Sequence, residues 1–359
     1  MIAVLLSGLA ENTILSVSVL FLVSGFLLGS GIFGPIHEIN RHLLERVAEV
    51  ALFSVLFTDG MKTGGLQEIR KFWRLPGRAL VIGMPLTIAG IALLARFMAG
   101  LDWLGASLLG AALSPTDPVF VSAIFKLEAF PEQIKRLLNI ESGLNDGLSL
   151  PVVMLLLAYT GTHEPSPRIV IADLALGAGI GLVVPSIEIR LEKTRLFHAS
   201  GLFHPLNAFA LGLLVLAICY AVGANLFLAA FGAGISFATY GHSFTESFRE
   251  FGELVTELLK LAALLVFGAL LAPRFFTGLP ALQYGFIVLS VFAVRPIAIG
   301  IALLRSGLST QNIRLAGWFG PKGFASVIYG LLILQAGFGP HGTVDRAGGR
   351  RIDSCLFFQ

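Results

Sequence analysis

Two carboxylates and four further polar side chains crowd one short apolar stretch, Asn139 to Pro151, which reads NIESGLNDGLSLP. Wound as a helix at about 100° per residue, Glu141, Ser142, Asn145, Asp146 and Ser149 share an arc of about 140°. Gly143 and Gly147 fall on the opposite side, a small-xxx-small pair suited to close helix packing. One ionised carboxylate at the centre of a bilayer costs about 2.5–3.5 kcal/mol on insertion scales. Two on one helix face therefore imply an aqueous cavity or cationic partners. A carboxylate in a cavity holds a cation or a proton but not both at once, and that competition is the minimum needed to exchange one for the other.

Cationic partners are present in other apolar stretches. Arg295 stands in SVFAVRPIAIG and Lys322 in GWFGPKGFASVIYG; with Lys260 they are the basic residues that fall inside candidate spans away from their ends. A mid-membrane arginine must pair, and Glu141 is a suitable mate, which leaves Asp146 to the transported ion. Two apolar stretches are also interrupted. SPTDPVF places Pro115 and Pro118 around Thr116 and Asp117, and WFGPKGF carries Gly320, Pro321 and Gly323. Proline supplies no N–H and disfavours helix at the residue before it. Carbonyls released at membrane depth must line water or a site. Two interrupted spans in corresponding positions point to a transporter site built on inverted repeats. In such a site Asp117 offsets facing helix N-termini, and Lys322 facing C-termini.

The elements that must position these groups follow from composition. Of 359 residues, 55% are hydrophobic and 13% charged, against about 25% charged in a soluble domain. This is an all-α integral membrane protein. Eleven stretches approach the roughly 20 apolar residues a spanning helix needs: 13–33, 47–61, 79–98, 103–125, 137–160, 169–187, 202–222, 224–240, 252–272, 281–304 and 314–335. The loops after spans two, four, six, eight and ten hold fourteen Lys and Arg, among them Arg70, Lys71, Arg136, Arg190 and Arg305, against five on the other side. The positive-inside rule puts the fourteen, and the N-terminus, in the cytoplasm. Cys219 and Cys355 make no disulfide framework. There is no GxxxxGK[ST] and no HExxH, so neither an ATP motor nor a membrane zinc protease has support; no enzyme, no cofactor and no nucleic-acid partner is expected.

With SPTDPV, ESGLNDG, VRP and GWFGPKG on the page, the chain resembles the monovalent cation:proton antiporters of the bacterial NhaP and animal sodium/proton exchanger type, from about residue 45 to 335. The resemblance implies an inverted-repeat fold in a homodimeric cell-membrane transporter that serves pH homeostasis, exchanging Na⁺, or K⁺, for H⁺. Its transmembrane domain would be 1–340, with a core around 103–160 and 281–335 and the other spans forming scaffold and dimer contact. Asp146 would be the shared cation/proton carboxylate. Asn145, Ser142, Thr116 and Asp117 would complete the cation site, and Glu141 with Arg295 would form a structural ion pair. Lys322 stands where the family usually carries Arg, and Asp59, in LFTDGMK, where an acidic residue would mark the cavity entrance. The Asn-Asp pairing implies electroneutral exchange. The repeat also calls for a helix after span eleven, whereas 341–359 is an aberrant polar tail whose Arg346, Arg350 and Arg351 sit on the wrong side for the charge rule. The expectation is therefore a chain truncated or frame-shifted near its end. A transport-inactive sensor or scaffold, and a cation channel, are the alternatives.

Overall fold

The computed structural model describes residues 17–31, 41–116, 130–159, 166–192, 204–240, 245–270, 279–320 and 323–335, and the regular elements among them are helices. In chain order they are α1 (Val17–Phe26), which runs into a π-turn at Leu27–Gly31; α2 (Arg41–Lys62); α3 (Gly65–Phe72); α4 (Arg74–Arg78), continued through a π-turn at Ala79–Gly83 into α5 (Met84–Met98); α6 (Trp103–Ala112); α7 (Glu132–Ala158); α8 (Pro167–Glu192); α9 (His204–Val222); α10 (Leu226–Tyr240); α11 (Thr245–Leu270); α12 (Ala281–Phe292); α13 (Val294–Ala302); α14 (Thr310–Trp318); and α15 (Phe324–Gln335). Among the described residues, four rods are long and apolar enough to cross a membrane: Arg74–Met98, Glu132–Ala158, Pro167–Leu191 and Ala281–Ala302. The remaining expected spans are represented by shorter or less apolar helices, and the tail 341–359 lies outside the described residues.

Local chemistry accounts for the boundaries. The Asp102 carboxylate accepts from Gly105 N–H at 3.0 Å and starts α6; the Asn225 side chain accepts from Leu228 N–H at 2.9 Å and starts α10; Ser309 accepts from Asn312 N–H at 3.2 Å and starts α14. Each satisfies a first-turn donor that the helix itself cannot. The rod of expected span three begins at Arg74, not at residue 79, because the fold supplies acceptors for Arg78. Its guanidinium donates to the carbonyls of Ala302 and Leu304, at 2.8 and 2.6 Å, and so caps α13. The segment between spans two and three is not bare loop. In α3, Leu66, Ile69 and Phe72 recur at helical spacing while Glu68, Arg70 and Lys71 take the other side, the pattern of a helix lying in the interface. Span ten is divided at Ala293, whose φ is −109°. Pro296, three residues on, has no N–H for the Phe292 carbonyl, and its ring presses on that turn.

Two packed groups result. Helices α1, α2, α8, α9, α10 and α11 lie against one another, and α3 packs on α10; helices α5, α6, α12, α13 and α14 form the other set. Helix α7 touches both, meeting α2, α8 and α10 as well as α6, α14 and α15. Its Leu150, Val153 and Leu157 share a core with Leu52 and Leu56 of α2 and with Ile328, Tyr329 and Ile333 of α15. Ile134, Leu137 and Leu138, near its start, pack with Ile299, Leu303 and Ala316. The outward faces are apolar: Val81, Phe97, Ile171, Val183, Val288 and Phe292 are exposed. Lipid, not water, suits such continuous apolar surface.

Helix α2 crosses α10 at a pair of glycines. A Cβ on Gly234 would collide with the Phe57 carbonyl and lie 3.0 Å from Gly60 Cα, and one on Gly60 would collide with the Phe231 carbonyl. Gly234→Leu is expected to force the helices apart and destabilise the protein by about 1–3 kcal/mol, seen as a lower thermal unfolding midpoint in detergent. An unchanged midpoint would show that the crossing tolerates side chains.

Candidate functional site

The polar face of α7 is buried: Glu141, Ser142, Asn145, Asp146 and Ser149 are each at most 6% exposed. Its direction follows from the two glycines opposite. Gly143 lies against the backbone of Asp59 on α2 and Gly147 against the ring of Phe231 on α10, at distances that admit no larger residue without displacement. With that side closed, Glu141 turns to Arg295 of α13, and Ser142, Asn145 and Ser149 turn to the end of α6 and the segment that leaves it.

That segment is where the chain departs from helix. Helix α6 ends at Ala112, and Leu113 to Thr116 are non-helical, as expected of Pro115 acting on Ser114. Two hydroxyls meet the carbonyl of Ala111 released at the helix end: Ser114 Oγ donates to it at 2.9 Å and Ser149 Oγ at 2.6 Å. Ser142 Oγ donates to the Thr116 carbonyl at 2.6 Å, and Asn145 Nδ2 donates to Thr116 Oγ1 at 2.8 Å. Three side chains of one helical face, Ser142, Asn145 and Ser149, thus fasten the irregular segment. Residues 117–129, and with them Asp117, lie outside the described residues.

Glu141 is engaged from two sides. Arg295 Nη2 donates to its Oε2 at 2.9 Å, with both side chains almost wholly buried, and Asn145 Nδ2 donates to its Oε1 at 3.3 Å. Arg295 Nη1 donates to the carbonyls of Ala316 and Gly317, both at 2.9 Å, in the last turn of α14. One guanidinium therefore neutralises the carboxylate of α7 and caps the negative end of α14. Lys322, expected to meet helix C-termini, lies outside the described residues. The approach is so close that a Cβ on Gly320 would run into the Arg295 guanidinium. Gly320→Ala is expected to displace Arg295 and lower the unfolding midpoint, by about 1–3 kcal/mol of overpacking; an unaltered midpoint would show that the arginine has other room.

The bonds of Arg295 go to Glu141 and two carbonyls, and Asp146 is not among its partners. Asp146 lies one turn further along α7 and is 4% exposed. Its carbonyl accepts from the hydroxyl of Tyr329, on α15, at 2.6 Å. Tyr329 is fully buried, and the Asp146 and Asp59 carboxylates are both near enough to act on it electrostatically. Pro151 lies inside α7 and cannot donate to the Gly147 carbonyl, so the helix ladder is opened in the turn that holds Asp146. The Tyr329 hydroxyl meets the backbone there. Asn145 turns its amide nitrogen to Thr116 and Glu141, which leaves Oδ1 buried with no hydrogen-bond partner. A buried oxygen without a donor costs about 1–3 kcal/mol, and such an oxygen has the chemistry to ligate a small hard cation.

Tyr329 and Ser114 were not among the residues picked out from sequence. The signal was there for Tyr329, since a phenol in an apolar span requires a polar partner. What that partner is depends on the fold, which joins positions 183 residues apart.

A helical bundle with a buried ion pair, a second buried carboxylate further along the same helix and a helix end held beside them is an arrangement suited to handling ions inside a membrane. The model of the family described as sodium/hydrogen exchanger, transmembrane, matches residues 1–344, and the chain belongs to that family of antiporters. It is 26% identical over 325 residues to the K⁺/H⁺ antiporter NhaP of Alkalimonas amylolytica, covering 88% of this chain and 56% of that protein. It is 25% identical over 353 residues to the K⁺/H⁺ antiporter NhaP2 of Shewanella sp. strain MR-4, covering 94% and 59%. The chain thus spans less than two thirds of the length of these curated relatives. Its fold is that of the sodium proton antiporter MjNhaP1 of Methanocaldococcus jannaschii, with a TM-score of 0.74 at 18% identity over 99% of this chain and 91% of that one.

Proposed function

We propose that this chain exchanges a monovalent cation, Na⁺ or K⁺, for H⁺ across the cell membrane by alternating access, one for one, as a homodimer with its N-terminus in the cytoplasm. Asp146 is the carboxylate that cation and proton occupy in turn. Asn145, Ser142, Thr116 and Asp117 complete the cation site, Asp59 stands at its entrance, and Lys322 compensates helix ends. The pair of interrupted spans, four and eleven in a total of eleven, supplies the polar backbone. The segments 103–160 and 281–335 move as a core against the remaining helices.

The observation that carries this reading is the unequal treatment of two carboxylates on one helix. Glu141 is held by Arg295 and Asn145, whereas Asp146 is not among the partners of that arginine and follows Asn145, whose Oδ1 has no hydrogen-bond partner. Groups whose surroundings differ in this way carry different roles. Relatives are named for K⁺ and for Na⁺ exchange alike, so the ion is to be read from transport.

The test is proton movement in liposomes that contain the full chain and a trapped pH dye. Added Na⁺ or K⁺ is expected to raise the internal pH, and the favoured ion to do so at lower concentration. One-for-one exchange is indifferent to an imposed membrane potential. A folded chain with no cation-driven proton movement would leave a sensor or scaffold, and current without proton coupling would mark a channel. Tyr329→Phe removes one hydrogen bond beside Asp146, worth about 1 kcal/mol. It is expected to move the half-saturating cation concentration about fivefold while exchange continues. An unmoved value would mean that the Tyr329 hydroxyl does not help to place Asp146.

A further inference from the structure

Far from Asp146, a cleft of about 420 Å³ opens where α3 and α4 meet the start of α7 and the turn between α13 and α14. Its size lies in the range of small-ligand sites, about 300–1,000 Å³. Lys71, Arg74 and Arg136 line it, together with Glu132, the ring of Phe72 and Ser306. The three cations come from two distant stretches of chain, and the single carboxylate among them is already shared. Glu132 pairs with Arg136 at 3.3 Å and with Lys135 at 3.9 Å. Lys71 and Arg74 have no carboxylate partner among the described residues; Lys71 has only the Phe72 ring, 5.1 Å from its ammonium. Arg136 stacks on that same ring at 4.6 Å. The first turn of the 27-residue helix α7 adds its partial positive charge.

Basic residues that only orient a membrane protein need neither a cavity nor an aromatic floor. Here like charges are gathered around a concave space with one carboxylate to offset them. We propose that this cleft binds a phosphate-bearing anion, the headgroup of an anionic lipid or free phosphate, through Lys71, Arg74 and Arg136. Guanidinium groups match phosphate oxygens in forked geometry, and basic pockets between membrane helices take lipid headgroups. The site also has a mechanical consequence. Helix α3 is fastened to α10, where Leu66 N–H donates to Thr239 Oγ1 at 3.0 Å, while the start of α7 packs with α13 and α14. An anion held between Lys71 and Arg136 ties one packed group to the other. Binding itself does not rest on the exchange reading.

The experiment uses the full chain in nanodiscs and two probes. In phosphatidylcholine discs, radiolabelled inorganic phosphate is titrated; in discs containing phosphatidylglycerol, the lipid retained after extraction is measured by native mass spectrometry. The cleft variant is Lys71→Gln with Arg74→Gln, which breaks no ion pair. The control, Lys62→Gln with Arg190→Gln, removes the same charge outside the cleft. One anion per chain is expected in at least one arm, about tenfold weaker in the cleft variant and unchanged in the control. Binding in the first arm alone identifies free phosphate as the ligand, and in the second alone the lipid. No saturable binding by the natural chain in either arm, or equal loss in the control, overturns the proposal.

Discussion

Asp146→Asn is expected to reduce cation-driven proton movement to the level of empty liposomes and to leave the protein folded. The substitution keeps shape and removes both the charge that holds a cation and the group that takes a proton, so neither half of the cycle survives. The bond from Tyr329 goes to the Asp146 carbonyl, which asparagine also supplies, and Arg295 is committed elsewhere. Wherever it is ionised, a carboxylate buried at 4% exposure carries a desolvation cost that a neutral amide avoids. The unfolding midpoint of Asp146→Asn should therefore hold or rise while flux disappears. That opposite movement separates a functional carboxylate from a structural one. A folded variant that still exchanges would remove Asp146 from the mechanism.

The site was legible in sequence to the extent that it is local. Helical spacing alone gathers Glu141, Ser142, Asn145, Asp146 and Ser149 on one face, and the structure directs four of them at Thr116, Ala111 and Arg295. The Glu141–Arg295 pair was legible because a mid-membrane arginine has few possible mates. Boundaries were less so. A hydropathy window stops at charge, and it cannot know that Arg78 will cap α13 and let the rod continue to Arg74. The division of span ten was hidden because a proline acts upstream of itself: VRP was seen, but Pro296 breaks the helix at Ala293. The interfacial helix α3 was counted as a charged loop because its apolar positions are three residues apart and too few to register as a span. Tyr329 required knowledge of which helix lies beside which, and periodicity reports a face without naming its neighbour.

Arg295→Ala is expected to destabilise the protein by about 3–5 kcal/mol, the range for removing one partner of a buried ion pair. Three bonds vanish with the guanidinium. The Ala316 and Gly317 carbonyls at the end of α14 lose their donor, and Glu141 keeps only the 3.3 Å bond from Asn145. Arg295→Lys should recover part of the loss, since the charge is kept and the fork that serves three acceptors is not. The more telling comparison is the double variant Glu141→Gln, Arg295→Met. If the pair is structural, removing both charges leaves no ion stranded in the interior. The double variant is then more stable than Arg295→Ala, and the two substitutions are strongly non-additive. It should also still exchange ions through Asp146. Additive losses, or a stable double variant that no longer exchanges, would assign Glu141 to the transport path, because only a group that meets the ion is missed once the fold has been restored.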